Sequence, residues 1–125
     1  MRVLIVDDSS SFRDAARLVL LRRGYEIAGG ASDARSALTM VDYLRPDAAL
    51  IDVQLPDASG FALAAHFGRL FPWIAVLLMS AEDEGTAAYR AAACGAAGFV
   101  LKEELVRTNF ERFWPRPEPP RDEFA

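Results

Sequence analysis

One hundred and twenty-five residues, 52% hydrophobic and 26% charged, make a chain of single-domain size, long enough to bury roughly two-thirds of its unfolded surface. No apolar run approaches the roughly 20 residues of a membrane span, the apolar segment near Met1 is too short for a signal-peptide core, and with one cysteine (Cys94) and one histidine (His66) neither an internal disulfide nor a structural zinc site can be assembled, which fits a cytoplasmic setting. The net charge of −4 argues against direct nucleic-acid binding by this domain, because such binding needs clustered Lys and Arg.

Val3–Val6 is a short continuous apolar run, which reads as a strand buried on both faces, and Asp7-Asp8 follows it. Phe12, Ala16 and Val19 then recur at helical spacing, with Gly24 as the stop. Tyr25–Ala28 reads as the second strand; Gly29-Gly30 beyond it reads as a turn carrying nothing reactive, as expected at a sheet edge. Pro46 closes the second helix, and Ala48–Ile51 leads into Asp52. Phe61, Ala65 and Gly68 mark the third helix, closed by Pro72, and Ile74–Met79 leads into Ser80. The fourth helix, Thr86–Ala93, is mostly Ala with Tyr89 as its one large apolar-bodied side chain, so little buried area per turn predicts weak anchoring. After Gly95, Gly98–Leu101 leads into Lys102, and Leu105, Asn109, Phe110 and Phe113 mark a fifth helix in which Asn109 is out of place. Residues 1–114 therefore read as one domain. From Pro115 the sequence PRPEPPRDEFA, with four of the seven prolines and five charges, reads as an extended tail or linker over 115–125.

Five strand–helix repeats predict an α/β, flavodoxin-like (βα)5 doubly wound fold: a five-stranded parallel sheet in the order 2-1-3-4-5. Ligands of such sheets bind beyond the carboxyl ends of the strands where the order reverses, here between the first and third strands, the two that end in carboxylates. Three carboxylates 4–6 Å apart repel by roughly 3–4 kcal/mol per pair at an effective dielectric of about 20, so a proton or cation must compensate. Oxygen donors with water select a hard ion, magnesium first. Lys102 adds a mobile ammonium and Ser80 a hydroxyl, which completes the parts for phosphoryl transfer. Neither GxxxxGK[ST] nor GxGxxG occurs, so the phosphoryl group is expected from another protein or a small phosphodonor rather than a bound nucleotide.

Plainer readings stand beside these. Asp7 and Asp8 could cap the first helix, and Ser80, followed by Glu82, Asp83 and Glu84, could cap the fourth. Lys102 could snorkel at a strand end. Asp52 has the poorest plain reading, because a carboxylate ending a buried strand is costly without a partner. Cys94 reads as a small buried hydrophobe, and His66 as a surface or half-buried residue.

Taken in order, Asp7-Asp8, Asp52-Val53-Gln54-Leu55-Pro56 with Gly60, Ser80-Ala81 and Lys102 resemble the receiver domain of two-component response regulators, over about residues 2–114. The resemblance implies that Asp52 accepts a phosphoryl group from the phosphohistidine of a histidine kinase. It implies that Asp8, Asp52 and the backbone carbonyl of Gln54 ligate Mg2+ directly, and that Asp7 acts through a metal-bound water. By the same resemblance Ser80 hydrogen-bonds the phosphoryl group while Phe99, the aromatic switch position, turns inward. The face built from helix 4, strand 5 and helix 5 (α4-β5-α5) then recognises a partner protein or a second copy as a homodimer, and Gln54 and Glu82 tune dephosphorylation. Such a domain is no enzyme beyond its own phosphorylation and autodephosphorylation. Where many receivers place a cis proline after the lysine, Glu103 stands here. Two alternatives remain: a receiver-fold adaptor that works unphosphorylated, and the N-terminal regulatory part of a longer DNA-binding regulator. A hydrolase of haloacid-dehalogenase type needs a second acid two residues after its nucleophile, where Gln54 stands.

Overall fold

The computed structural model describes residues 1–83 and 85–114. Five parallel strands, β1 (Arg2–Val6), β2 (Glu26–Ala31), β3 (Ala48–Asp52), β4 (Ala75–Ser80) and β5 (Gly98–Leu101), lie in the order β2-β1-β3-β4-β5. Between them run the helices α1 (Ser10–Arg22), α2 (Ala34–Leu44), α3 (Gly60–Leu70) and α4 (Ala87–Ala93). The apolar runs of β1, β3 and β4 serve two faces at once. Leu4, Val6, Ala49, Ile51, Val76 and Leu78 face α2, α3 and α4. Val3, Ile5, Ala48, Leu50, Leu77 and Met79 face α1 and the C-terminal segment. Period-two alternation with both sets apolar is the pattern of a central parallel strand, and the doubly wound fold with its 2-1-3-4-5 order is as the sequence predicts.

Helix starts follow local chemistry. Ser9, Asp33 and Ser59 cap α1, α2 and α3 by accepting from the backbone N–H of Phe12, Ser36 and Ala62. Gly24 and Gly95 close α1 and α4 at φ of 89° and 84°, a region glycine enters at no steric cost.

Three expectations are corrected by packing. Gly29-Gly30 is no turn: β2 continues to Ala31, pairing Leu4 with Gly29 and Ile5 with Gly30 after a register shift. The strand runs close under α2 there, where a Cβ on Gly29 would meet the tip of the Leu44 side chain at 2.8 Å. On α3 the buried set is Leu63, Ala64 and Phe67, not Phe61, Ala65 and Gly68. Its rotation is set at its start, where Gly60 packs so closely on β3 that an added Cβ would meet Asp52 O at 2.2 Å. The shallow packing expected of α4 agrees with its burial: only Ala87 and Ala91 are buried, and Tyr89 is 80% exposed.

The third correction is the largest. No fifth α-helix forms among the described residues. The chain makes two 3-10 turns, Lys102–Arg107 and Phe110–Arg112, with Thr108 and Asn109 extended between them. Arg23 of α1 donates to the carbonyls of Val106 and Thr108, oxygens that a continuous helix would use internally. Asn109 turns its side chain back onto the N–H of Glu111, the local competition that disfavours Asn inside helices. Phe110 then stacks on Trp114 at 5.2 Å, with Tyr25 edge-on to both rings, closing the core on this side. The tail expected over 115–125, and Glu84, lie outside the described residues.

Candidate functional site

All the strand ends singled out in the sequence open on the same rim of the sheet. β1 delivers Asp7 and Asp8, β3 ends on Asp52, β4 on Ser80, and Lys102 follows β5 directly. The carboxylates of Asp7, Asp8 and Asp52 each offer an oxygen within 4.8 Å of the others. Asp7 is fully buried and Asp52 nearly so, while Asp8 faces solvent. Lys102 Nζ bridges the two buried acids, 2.5 Å from Asp7 Oδ2 and 2.9 Å from Asp52 Oδ2. The other oxygens are held by backbone donors: Ser9 N–H to Asp7 Oδ1 at 2.8 Å, and Gln54 N–H to Asp52 Oδ1 at 3.0 Å. Arg13 fixes the same corner by donating to the Asp7 carbonyl at 2.6 Å.

The site opens into a cavity of about 310 Å3 lined by Asp8, Asp52, Gln54, Leu55, Pro56, Ala81 and Lys102. Burial pushes the Asp52 carboxyl up from its ordinary 3.8, with Asp7 adding to the rise; the Gln54 N–H and Lys102 oppose it without cancelling it. Burial pulls the Lys102 ammonium down, yet its hydrogen bonds to Asp7 and Asp52 outweigh that and hold it above the usual lysine range. A buried carboxylate oxygen, an adjacent cation and a pocket of hard donors therefore meet at one point. Three closely spaced carboxylate oxygens against one ammonium leave negative charge over, and an oxygen donor set of this kind fits a divalent magnesium ion.

The plainer readings resolve one by one. Ser9 is the cap of α1, so Asp7 and Asp8 are not spent on capping. α4 begins at Ala87, too far along the chain for Ser80 to cap it. The Ser80 hydroxyl instead accepts from the Glu82 N–H at 3.3 Å, and Ser80 lines a neighbouring cavity of about 130 Å3 with Gln54, Phe61, Thr86 and Arg90 rather than the acidic one. Phe99 is half-buried at the margin of the core and forms part of a groove of about 840 Å3 along β5. Cys94 donates its thiol to Ala91 O at the end of α4, and His66 sits half-buried on α3 with Arg69 at 3.1 Å from Nδ1. The peptide after Lys102 is trans, as are all among the described residues.

Two supports of the site had no marker in the sequence. Phe12, an apparent core residue of α1, places its ring 4.3 Å from Lys102 Nζ. Asp57, in the loop after β3, accepts from the N–H groups of Ala34 and Arg35 at 2.9 and 3.0 Å and so ties the site loop to the start of α2.

A doubly wound parallel α/β domain with a carboxylate cluster and a lysine at its carboxyl rim is the arrangement that the resemblance to receiver domains predicts. Comparison with known proteins makes this specific. The family described as "Response regulator receiver domain" matches over residues 3–109, and the chain belongs to that family. It is 36% identical over 104 residues to the probable transcriptional regulatory protein NarL of Mycobacterium tuberculosis, covering 82% of this chain and 48% of that protein. It is 30% identical over 101 residues to the chemotaxis protein CheY of Thermotoga maritima, covering 81% and 84%. A protein-glutamate methylesterase/protein-glutamine glutaminase of Anaeromyxobacter dehalogenans is 36% identical over 103 residues, of which this chain spans only 30%. The solved signal receiver domain of the M. tuberculosis NarL superposes with a TM-score of 0.76 at 36% identity, covering 85% of this chain and 90% of that one. No helix among the described residues is long and apolar enough to cross a membrane.

Proposed function

We propose that this chain is a magnesium-dependent phosphoacceptor that takes a phosphoryl group from the phosphohistidine of a sensor kinase onto Asp52, in a cytoplasmic signalling pathway. The observation that carries the reading is the Asp52 carboxylate, bridged to Asp7 by Lys102 and clustered with Asp8 at the floor of an open cavity. An Asp52 oxygen attacks phosphorus as the P–N bond to the kinase imidazole breaks, and the imidazole leaves with the bond pair and takes a proton. Lys102 moves its ammonium from the carboxylate to a phosphoryl oxygen, offsetting the charge that develops there. Ser80 gives up its contact with the Glu82 N–H and donates to another phosphoryl oxygen. Asp8, Asp52 and the Gln54 carbonyl, with Asp7 behind a water, would hold Mg2+, which supplies charge neutralisation and in-line orientation when bound.

Phe99 then moves toward the space that Ser80 leaves, and the altered face recognises a downstream protein or a second copy. With 3-10 turns in place of a fifth α-helix, that face consists of α4, β5 and Lys102–Arg107. The domain acts catalytically only on itself, with Gln54 and Glu82 tuning the loss of the phosphoryl group. The chain spans about half of the NarL relative and under a third of the methylesterase, which supports a second reading as the regulatory part of a longer protein. Incubation with acetyl phosphate and Mg2+ should add the mass of one phosphoryl group to the wild type and none to Asp52→Asn. Equal uptake by both would overturn the assignment, and uptake by neither would favour an adaptor that works unphosphorylated.

A further inference from the structure

We infer that Phe12 is a positioning residue for Lys102, seating the ammonium on its ring face at the edge of the acidic cavity; this rests on the phosphoacceptor reading above. The contacts form a closed circuit. Ser9 N–H donates to Asp7 Oδ1, the Ser9 hydroxyl accepts from Phe12 N–H, the Phe12 ring faces Lys102 Nζ at 4.3 Å, and Lys102 Nζ returns to Asp7 Oδ2. The cap that starts α1 thus sets the position of the ring and of the buried acid together.

The ring offers something the carboxylates do not. A lysine is a strongly hydrated point charge on a flexible stem, and it stays in one place only where several groups converge on it. Both of its oxygen partners, on Asp7 and Asp52, belong to the cluster suited to a metal ion, and Asp52 is also the phosphoryl acceptor. An aromatic face attracts an ammonium electrostatically while presenting no oxygen for a cation or phosphorus centre to claim. Phe12 is half-buried and the Lys102 side chain is only 18% exposed, conditions in which the cation–π attraction is least weakened by water. Leucine would fill a similar space on α1 without attracting charge, so a need for bulk alone does not account for a ring whose face meets the ammonium.

The experiment uses the whole chain with Phe12→Leu and Phe12→Trp. In the metal-free wild type the Lys102 ε-methylene protons should resonate upfield through the ring current, lose that shift in F12L and keep it in F12W. Phosphorylation by acetyl phosphate with Mg2+ should slow by about fivefold or more in F12L and stay within about twofold of wild type in F12W. If F12L loses its fold, Phe12→Met carries the same comparison. Lys102 protons alike in wild type and F12L, F12L phosphorylated at the wild-type rate, or F12W as slow as F12L would each overturn the positioning role alone. A wild type that takes up no phosphoryl group would sink the phosphoacceptor reading instead, and the positioning role with it.

Discussion

The centre of this sheet and its β5 edge are built to different standards. At the centre, β1 and β3 carry the acidic cluster, and their apolar residues are essentially without solvent contact on either face. At the edge, α4 has seven residues, buries Ala87 and Ala91, and has no side-chain hydrogen bond at its Thr86 cap, while all four residues of β5 are only half-buried. The described side-chain link from α4 to another element is Arg90, whose guanidinium lies 4.0 Å over the Phe61 ring of α3. A carboxylate cluster needs a rigid floor, because its geometry decides whether charge is compensated or merely crowded. An element that must answer a change at that floor needs shallow anchoring, because a switch can be moved only by the few kcal/mol a local event supplies.

The contrast can be broken most decisively by hydrogen exchange. Amides of β3 should exchange only through global opening and those of α4 through local opening, a gap on the order of 5 kcal/mol in opening free energy. Equal protection would remove the distinction between centre and edge. Truncation comes next in size. Leu50→Ala should cost about 2–5 kcal/mol in urea unfolding, whereas Ala91→Gly on α4 should cost about 1 kcal/mol; comparable losses would mean that α4 is anchored as firmly as the centre.

The smallest effect sharpens the comparison through pH, followed by thermal melts in chelator. Asp52 has its folded pKa above 3.8, so its contribution to stability is present below 3.8 and lost as pH rises through the folded value. Asp52→Asn should therefore be the more stable chain at neutral pH, with the gap closing below pH 3.8. Asp57 has the opposite sign: the Ala34 and Arg35 N–H groups hold its pKa below 3.8, so its stability is present above 3.8 and lost as pH falls through the folded value. Asp57→Asn should be the less stable chain at neutral pH. Both substitutions shifting stability in the same direction would refute the contrast between a destabilising buried carboxylate at Asp52 and a stabilising one at Asp57.

The strand order, the central strands and the rim positions of Asp7, Asp8, Asp52, Ser80 and Lys102 were legible in the sequence, because buried parallel strands are short apolar runs and their carboxyl ends are where chemistry collects. The caps at Ser9, Asp33 and Ser59 are chemistry between residues three apart, yet the sequence alone offers Asp7 and Asp8 for the first helix, and the structure gives that cap to Ser9.

What required the tertiary structure depends on partners distant in the chain. Gly29-Gly30 continues a strand because Leu4 and Ile5 of β1 pair with it, and α3 turns Leu63 and Phe67 inward because Gly60 is pressed onto Asp52. The segment after β5 has helical periodicity, yet Arg23, about eighty positions away, takes carbonyls its helix would have used. The acidic cluster follows the same division. The sequence determines which groups are charged and at which strand ends they stand, while only folding decides that Lys102 sits between Asp7 and Asp52 with Phe12 beneath it. Side-chain chemistry is carried by each residue alone, but the energy of a buried charge depends on what surrounds it in three dimensions.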